Sequence, residues 1–329
     1  MRADTLARRA LLATPFLANG GALAQQRPYR ILMLLFRGWE EACDGFRDHF
    51  AARRIPVEFI IRDMAQDLTR VPGAIAEARE LRPDLVHVWG TSLALAVLGP
   101  WDAPDDGRTL RDFPAVFSIV TDPAGNRLVR SREAPGRAVT GTEYIAPVDV
   151  QLRAMGRYAA FRTVAAVFNP RESNSLSVVA QMRAQLGEAL LSLPVALDGQ
   201  GRPDPASIPD CVAAARAAGV DWLYIPPDTF LNEHRQALTQ GALAAGLPCF
   251  SASERFVLFA DGLAGLVSRY YSVGAFSAFK AVQILREGRD PASIPVETLT
   301  RLSFLIRMET ARRLGSYPPV GLLRVAEAV

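Results

Sequence analysis

The sequence predicts a two-lobed α/β protein with a parallel sheet in each lobe and a ligand cleft between the lobes. Short strands that are apolar throughout indicate sheets covered by helices on both faces. These strands alternate with helical segments, which is the pattern of parallel sheets. The order of segments is repeated along the chain, and 329 residues are enough for two lobes of ordinary size.

The first half of the chain alternates strands and helices. Apolar runs predict strands at 29–36, 56–63, 83–92 and 113–123. Phe46 and Phe50, four residues apart, mark the buried face of a helix after the first strand. A second helix is expected near 72–81, and a short helix and a loop precede the fourth strand.

The second half repeats that order. Strands are predicted at 162–170, 220–228 and 246–254. A long helix is expected over 174–193, capped by Asn174 or Ser175. Another helix is expected near 209–218 and ends at Gly219.

Polar side chains stand where these strands end. In parallel sheets the ligand lies beyond the carboxyl ends of the strands, so two sets of ends should line one cleft. Such residues also cap helices, so each of them alone could be only a cap. The candidate ligand-binding residues at these ends are Thr91, Ser92, Thr121, Asp122, Asn169, Asp228 and Glu254.

These candidates divide by chemistry. Hydroxyls and backbone N–H groups at Thr91, Ser92 and Thr121 suit a carboxylate. The carboxylates of Asp122, Asp228 and Glu254 suit an ammonium or hydroxyl groups. The turn at Asp122 precedes Pro123, and we expect it to be a wall of the cleft as well as the end of a strand.

Aromatic residues near the expected cleft offer a stacking surface for an apolar ligand group. Trp39 and Tyr144 are the two candidates for ligand binding. Core packing is the alternative for Trp39, and it is favoured for Tyr270 and Tyr271.

No catalytic constellation is present in the sequence. The motifs of serine hydrolases, nucleotide-binding loops and zinc proteases are all missing. His49, His87 and His234 are scattered, and His87 lies in an apolar strand where a core position is expected. A carboxylate pair for glycoside chemistry could come from four residues, Asp122, Glu143, Asp228 and Glu254, but carboxylates in a polar cleft more often hold an ammonium or a hydroxyl group. We therefore expect a binding protein and not an enzyme, with no cofactor.

The first 24 residues have the pattern of an export signal. A basic start is followed by an apolar centre and by Ala22-Leu23-Ala24, which predicts cleavage before Gln25. Arg8-Arg9 fits an ordinary export signal or a twin-arginine signal. No segment reaches the roughly 20 apolar residues of a membrane span, and no Cys closely follows the signal. The mature protein is therefore expected free in a periplasm, without a membrane anchor.

Charge and cysteine content limit the classes of binding partner and site that the sequence supports. The formal net charge is +3, and losing three arginines and one aspartate with the signal leaves +1. Such a balance does not indicate binding to nucleic acid or to an anionic membrane. Cys43, Cys211 and Cys249 allow at most one disulfide, and their spacing does not fit a metal site.

Seven segments together resemble the substrate-binding proteins of bacterial ABC transporters, of the kind that bind tryptophan and tyrosine. The resemblance runs from about Arg30 to the C-terminus. Its segments are "FPAVFSIVTDPAGNRLV" (113–129), "APGRAVTGTEY" (134–144), "VAAVFNPRESNS" (164–175), "VDWLYIPPDTF" (220–230), "DGLAGLVSRYYSVG" (261–274), "ILREGRDPASIPVE" (284–297) and "METARRLGSYPP" (308–319).

The chain departs from that family's pattern in places. Arg137-Ala138 replace a Gly-Asn pair, Arg307 stands where Asn is usual, and the loop 99–113 is longer than usual.

The resemblance implies two Rossmann-like lobes in the type I periplasmic binding protein architecture. It implies that the chain passes between lobes near 143–148, 266–271 and 293–297. After the signal at 1–24, the N-terminal lobe would hold 25–145 plus about 269–292. The C-terminal lobe would hold 146–268 plus about 293–329.

The resemblance also implies a function. A monomer would capture a small molecule between its lobes, an amino acid or a related aromatic acid, and deliver it to the membrane permease of an ABC transporter. The alternative is a ligand sensor that presents its closed form to a membrane receptor. A DNA-binding repressor with this fold would need an N-terminal helix-turn-helix, and an export signal occupies that position.

Overall fold

The computed structural model of the chain describes residues 27–329. The predicted export signal at 1–24 and its cleavage before Gln25 lie outside the described residues. Within residues 27–329, no helix is both long enough and apolar enough to span a bilayer.

Helices and strands are numbered here in chain order. The first part of the chain contains β1 (Tyr29–Leu35), α1 (Glu41–Ala52), β2 (Val57–Asp63), α2 (Val71–Leu81), β3 (Leu85–Trp89), α3 (Thr91–Leu98), β4 (Ala115–Val120) and β5 (Val139–Glu143). The middle part contains α4 (Val148–Tyr158), β6 (Val164–Phe168), α5 (Ser173–Leu186), β7 (Leu190–Pro194), α6 (Ile208–Ala217), β8 (Trp222–Ile225), α7 (Thr229–Glu233), α8 (Arg235–Ala244), β9 (Cys249–Ser251), α9 (Glu254–Leu258) and β10 (Ala264–Val267). The last part contains α10 (Tyr270–Glu287), β11 (Glu297–Thr298), β12 (Ser303–Ile306), α11 (Met308–Leu314), α12 (Val320–Leu323) and β13 (Glu327–Ala328).

Residues 27–329 form two sheets. The first has the strand order β11-β5-β4-β3-β1-β2, and its strand pairs are parallel. The second has the order β13-β12-β10-β9-β8-β6-β7, in which β10 and β12 are antiparallel. We call the first sheet with α1, α2, α3 and α10 the first lobe, and the second sheet with the remaining helices the second lobe. The predicted fold class, α/β with two sheets dominated by parallel strands, is confirmed.

The central strands of both sheets, such as β3, β4, β6 and β8, are buried on both faces because helices cover each sheet on two sides. In β1, Ile31 and Met33 pack into the core that contains Phe46 of α1. Leu32 and Leu34 point the other way, into the core beneath α2. Each such side chain contributes about 1.5–3 kcal/mol through the apolar surface it removes from water. This two-sided burial explains the continuous apolar runs in the sequence.

Helix α10 lies on the first lobe although it comes late in the chain. It packs directly on α1, and a Cβ atom at Gly45 or at Gly274 would collide with backbone atoms of the facing helix. The two helices can approach this closely only because both positions lack a side chain.

The segment at the third implied passage, near 293–297, includes a strand of the first sheet. Strand β11 pairs with β5, so the chain stays with the first sheet as far as Thr298. The buried ammonium of Lys280 in α10 fixes this segment, since it donates to Glu297 Oε2 at 2.7 Å and to the Pro295 carbonyl oxygen.

The long helix expected over 174–193 is wrong at its C-terminal end. Helix α5 ends at Leu186, where Gly187 takes a φ of +55°, and residues 190–194 form β7 beside β6. A short apolar run such as "LLSLP" has no periodicity that separates helix from strand.

Two other expectations concern buried groups. His87 is a core residue as expected: it is fully buried, its Nε2 lies 2.8 Å from Ser118 Oγ, and burial lowers the pKa of the imidazole to about 3. The three cysteines are buried and unbridged.

Arg137, which departs from the sequence pattern of the resembled family, has a structural role. Its guanidinium donates to the carbonyl oxygens of Leu98 and Gly99, at 2.5 and 2.8 Å. A cation at the C-terminus of a helix satisfies orphan carbonyls and complements the dipole, so Arg137 caps α3.

Candidate functional site

A narrow cavity lies between the lobes at the carboxyl ends of the strands. About 430 Å³ of empty space, part of it continuous with bulk solvent, lies among its side chains. The first lobe contributes Phe36, Arg37, Trp89, Gly90, Thr91, Ser92, Ile119, Thr121, Tyr144 and Tyr270. The second lobe contributes Asn174, Pro227, Asp228, Thr229 and Ser253.

Three aromatic rings form one side of the cavity. Trp89 ends β3, Tyr144 follows β5 and Tyr270 begins α10, so three separate elements bring them together. The Tyr144 and Tyr270 rings meet edge to face with centroids 4.9 Å apart, and Trp89 contacts Tyr270 in the same way at 6.5 Å. Mutual packing of this kind holds the rings in fixed orientations.

Arg37 supplies the positive charge of this wall. It follows β1, its side chain is only 9% exposed, and its guanidinium lies 4.9 Å from the centre of the Trp89 ring. Its Nε donates to Glu40 Oε1 at 3.1 Å and its Nη2 lies 3.3 Å from the Tyr270 hydroxyl. Burial alone would disfavour the charge, but Tyr270 and Glu40 outweigh it and raise the pKa of Arg37. The guanidinium therefore stays charged.

The N-terminus of α3 faces the same space. Gly90 precedes the helix with a φ of +94°, which favours glycine, and lets the chain turn directly from β3 into α3. The Thr91 hydroxyl accepts from the Thr121 backbone N–H at 3.0 Å, which ties the ends of two strands together. The first N–H groups of a helix have no hydrogen-bond partner within it. The N-terminal end of α3, at Thr91 and Ser92, therefore attracts anions.

Ile119 reaches the cavity through an unusual backbone conformation. Its φ is +56°, and the register between β4 and β5 shifts between Phe117 and Val120. A β-branched residue at positive φ is strained, and such strain persists only where the surrounding structure imposes it. The bulge points Ile119 at the cavity beside Thr121.

The second lobe's wall is acidic. Asp228 is 5% exposed, and its carboxylate accepts from the backbone N–H of Asn169 at 2.7 Å, the Ser175 hydroxyl at 2.7 Å and the N–H of Leu231 at 2.8 Å. Burial, with the nearby charge of Glu172, raises the pKa of Asp228 to about 7. Asp228 can therefore change its charge close to neutral pH.

Glu172 is the second carboxylate beside Asp228. It accepts from the backbone N–H groups of Thr229 and Phe230, at 2.9 and 3.1 Å, and from Asn174 Nδ2 at 3.1 Å. The start of α7 is thus held by two carboxylates. Together they make this side of the cavity the natural position for a cationic ligand group.

Five of the sequence-predicted residues line this cavity: Thr91, Ser92, Thr121, Tyr144 and Asp228. The other four, Trp39, Asp122, Asn169 and Glu254, are not among its lining residues.

Asp122 lies at the edge of the cleft instead of in the cavity. One carboxylate oxygen accepts from its own turn at the Gly125 N–H, at 3.0 Å. The other accepts from Ser177 Oγ at 2.5 Å and Gln181 Nε2 at 3.2 Å, both on α5 of the second lobe. Asp122 is therefore both the end of a strand and a contact between lobes.

Glu254 and Asn169 hold backbone segments. Glu254 accepts from the Tyr270 N–H at 2.8 Å and pairs with Arg269 at 2.5 Å, so it fixes the second passage between lobes. Asn169 donates its backbone N–H to Asp228 and accepts from Arg171 through its side chain.

Trp39 belongs neither to the core nor to this cavity. Its ring is 38% exposed, its indole N–H donates to Asp44 at 2.9 Å, and Arg47 lies over the ring at 5.5 Å. It is part of the outer surface at the start of α1.

Sequence reasoning missed two charged residues: Arg37, which lines the cavity, and Glu172, which lies beside Asp228 outside the lining. Arg37 directly follows the first strand, and Glu172 follows the strand that ends at Asn169. The rule that ligands meet the carboxyl ends of strands would have selected both positions.

The family model described as ABC transporter substrate binding protein matches residues 106–329. Among curated proteins, a tyrosine-binding protein of Clostridioides difficile (strain R20291) is 24% identical over 234 residues. That match covers 71% of this chain and 63% of the relative, so the chain spans less than two thirds of that protein's length.

Solved structures are similar over nearly their whole length. A conserved domain protein from Vibrio cholerae superposes with a TM-score of 0.77 at 22% identity, covering 92% of this chain and 99% of that one. The ABC domain from Streptococcus pneumoniae in complex with L-Trp gives 0.75 at 23% identity, covering 91% and 99%. These similarities confirm the type I periplasmic binding protein fold.

Proposed function

The chain belongs to the ABC transporter substrate-binding protein family, which binds solutes without converting them, and we propose that its ligand is an aromatic amino acid in zwitterionic form. The ligand would lie in the cavity between the lobes. The observation that carries this proposal is that the cavity has a buried guanidinium, Arg37, on one wall, a buried carboxylate, Asp228, on the other and three aromatic rings beside them.

The two ends of an amino acid fit the two walls. The carboxylate would meet Arg37 and the N-terminus of α3, because both favour an anion. The ammonium would meet Asp228, and the charge of Glu172 lies beside it. The aromatic side chain would pack against Trp89, Tyr144 and Tyr270. The names of two similar proteins, a tyrosine-binding protein and a domain solved with L-Trp, support the same ligand class.

Capture would work by closure of the lobes. Because the ligand touches both walls only when the lobes are close together, it binds the closed form more tightly than the open form, and that difference alone drives closure. The closed form of a monomer would then be recognised by a membrane permease. Proteins of this family are typically extracytoplasmic, and export by the signal at 1–24 is part of the proposal.

Calorimetric titration with four probes tests the ligand class. L-tryptophan and L-tyrosine carry both charges, tryptamine lacks the carboxylate, and indole-3-propionate lacks the ammonium. We expect an amino acid to bind with a micromolar Kd, about −8 kcal/mol, and both single-charge probes to bind at least tenfold more weakly. Equal affinity for all four probes, or no binding by any, would contradict the proposed function.

A further inference from the structure

Glu40 lies between two guanidinium groups that belong to different lobes. Its Oε1 accepts from Arg37 Nε at 3.1 Å and lies 3.6 Å from Nη1 of Arg255. Glu40 and Arg37 precede α1 in the first lobe, and Arg255 is on α9 in the second. The side chain of Glu40 is 9% exposed and that of Arg255 is 18% exposed, so this contact is largely shielded from water.

Arg255 is held in place by its own lobe and aimed at the other. Its Nε donates to Asn232 Oδ1 at 3.1 Å, and its guanidinium lies 5.5 Å from the Phe259 ring. Its Nη1 also lies 3.3 Å from Glu41 Oε2, beside Glu40 in sequence. Arg255 does not line the cavity.

The charge balance around Glu40 changes when an anion binds. Without ligand, Glu40 already neutralises Arg37. A ligand carboxylate at Arg37 adds a second negative charge, and Arg255 adds the second positive charge that balances it. At a site shielded from water, Coulomb interactions are stronger than in bulk solvent. An anion at Arg37 and the approach of Arg255 to Glu40 therefore favour each other, and such coupling is reciprocal.

We propose that Arg255 is a positioning residue that couples carboxylate recognition by Arg37 to closure of the lobes, through Glu40. The inference rests on the proposed function, since it takes Arg37 as the anchor of the ligand's carboxylate. Two other contacts across the cleft have no connection to Arg37. Ser177 bonds to Asp122 and Gln66 to Glu233, and both pairs hold the lobes together without touching Arg37.

The test compares Arg255→Gln with Ser177→Ala, a matched control that removes a different contact between the lobes. Arg255→Gln should weaken L-tryptophan and indole-3-propionate roughly 5- to 20-fold more than it weakens tryptamine, which is the lower part of the usual range of such coupling. Ser177→Ala should weaken the three probes by one common factor. If Arg255→Gln weakens tryptamine as much as L-tryptophan, or changes none of the three, the inference is overturned.

A double-variant cycle with Glu40→Gln checks the route of the coupling. Once Glu40 is neutral, Arg255 has lost the charge it balances, so adding Arg255→Gln should weaken L-tryptophan by about twofold or less. Additive losses would overturn the route through Glu40. Thermal melting of each variant shows whether it is folded.

A failure of the proposed function can be told apart from a failure of this inference. If the wild type binds none of the probes, the ligand class is wrong. The contact between Arg255 and Glu40 is then tested without ligand, by measuring the radius of gyration of each variant with small-angle X-ray scattering. Arg255→Gln and Glu40→Gln should raise the radius of gyration equally, and the double variant no further. An unchanged radius in Arg255→Gln would overturn the inference.

Discussion

The two walls of the cleft carry opposite charges and hold them in different ways. On the first lobe, Arg37 has one charged partner, Glu40, and two aromatic neighbours, Trp89 and Tyr270. On the second lobe, Asp228 accepts three hydrogen bonds from neutral groups. The first wall thus keeps a fixed positive charge, and the second offers a pre-organised acceptor that can lose its charge.

This difference indicates how the ligand is read. In the proposed function, each wall alone would recognise one half of an amino acid, so neither lobe alone could select the zwitterion. Only a ligand with both charges would gain from both walls, and that gain would exist only when the lobes are close together. Selectivity and closure would then have one physical origin.

The largest effect is expected from breaking the first wall. Arg37→Gln should weaken L-tryptophan by at least about 100-fold, since it removes the anchor of the carboxylate and leaves Glu40 buried without its main partner. Tryptamine should lose far less, because it has no carboxylate. Calorimetric titration measures both. Arg47→Gln, an exposed arginine of the same lobe, is the control and should leave both affinities unchanged. Equal losses for the two probes in Arg37→Gln would place the carboxylate elsewhere.

The role of Asp228 in the second wall should appear as a pH dependence of ligand affinity. Burial and Glu172 raise the pKa of Asp228 to about 7, so its ionised fraction falls from about nine-tenths at pH 8 to about one-tenth at pH 6. Affinity for L-tryptophan should fall by up to about tenfold over that range, and affinity for indole-3-propionate should not fall. Asp228→Asn should bind L-tryptophan weakly at both pH values. A pH response that survives in Asp228→Asn would assign it to another group.

The same shift has a consequence for stability without ligand. The folded protein binds this proton more tightly than the unfolded chain does, because the pKa rises from 3.8 to about 7 on folding. The contribution of Asp228 to the free energy of unfolding is therefore fully present below about pH 4 and is lost as the pH rises through about 7. Denaturant unfolding at pH 5 and pH 7.5 should show this loss in the wild type and not in Asp228→Asn. A contribution that increases with pH would contradict the assignment.

A smaller effect is expected at the edge of the cleft. Asp122→Asn keeps the acceptor for its own turn but removes the charge-assisted bonds to Ser177 and Gln181, so affinity should fall by about 2- to 10-fold. Because Asp122 joins the lobes and does not face the cavity, the factor should be the same for L-tryptophan, tryptamine and indole-3-propionate. A loss confined to the probes with an ammonium would show that Asp122 touches the ligand directly.

The smallest effect on affinity is expected at Trp39, which lies outside the cavity. Trp39→Ala should change the affinity for L-tryptophan by less than about twofold, because an exposed ring outside the cavity contributes little to it. Calorimetry checks this value. A tenfold loss would extend the binding site to the start of α1.

The sequence predicted the position of the cavity better than the side chains that line it. Thr91, Thr121 and Asp228, which were selected as strand ends, line the cavity because parallel topology alone brings these ends together. The sequence could not predict which way the neighbouring side chains point. Asp122 turns away at a φ of +45°, and Ile119 turns in at +56°, conformations that these residue types rarely adopt.

Buried charges were the harder part. Arg37 was missed because an isolated arginine is normally solvated, and it is Tyr270, Glu40 and Trp89, brought close by the fold, that make its burial favourable. Glu172 is similar, since its partners at Thr229 and Phe230 are more than fifty residues away. Local sequence gives the residue types, and tertiary contacts decide their roles.

A crystal structure of the protein with L-tryptophan tests the central claim most directly. The account predicts the ligand between the lobes, with its carboxylate within hydrogen-bond distance of Arg37 and the N-terminus of α3. Its ammonium should contact Asp228, and its indole ring should lie against Trp89, Tyr144 and Tyr270. A ligand bound in the reverse orientation, with its ammonium towards Arg37, or bound outside this cavity, would contradict the account.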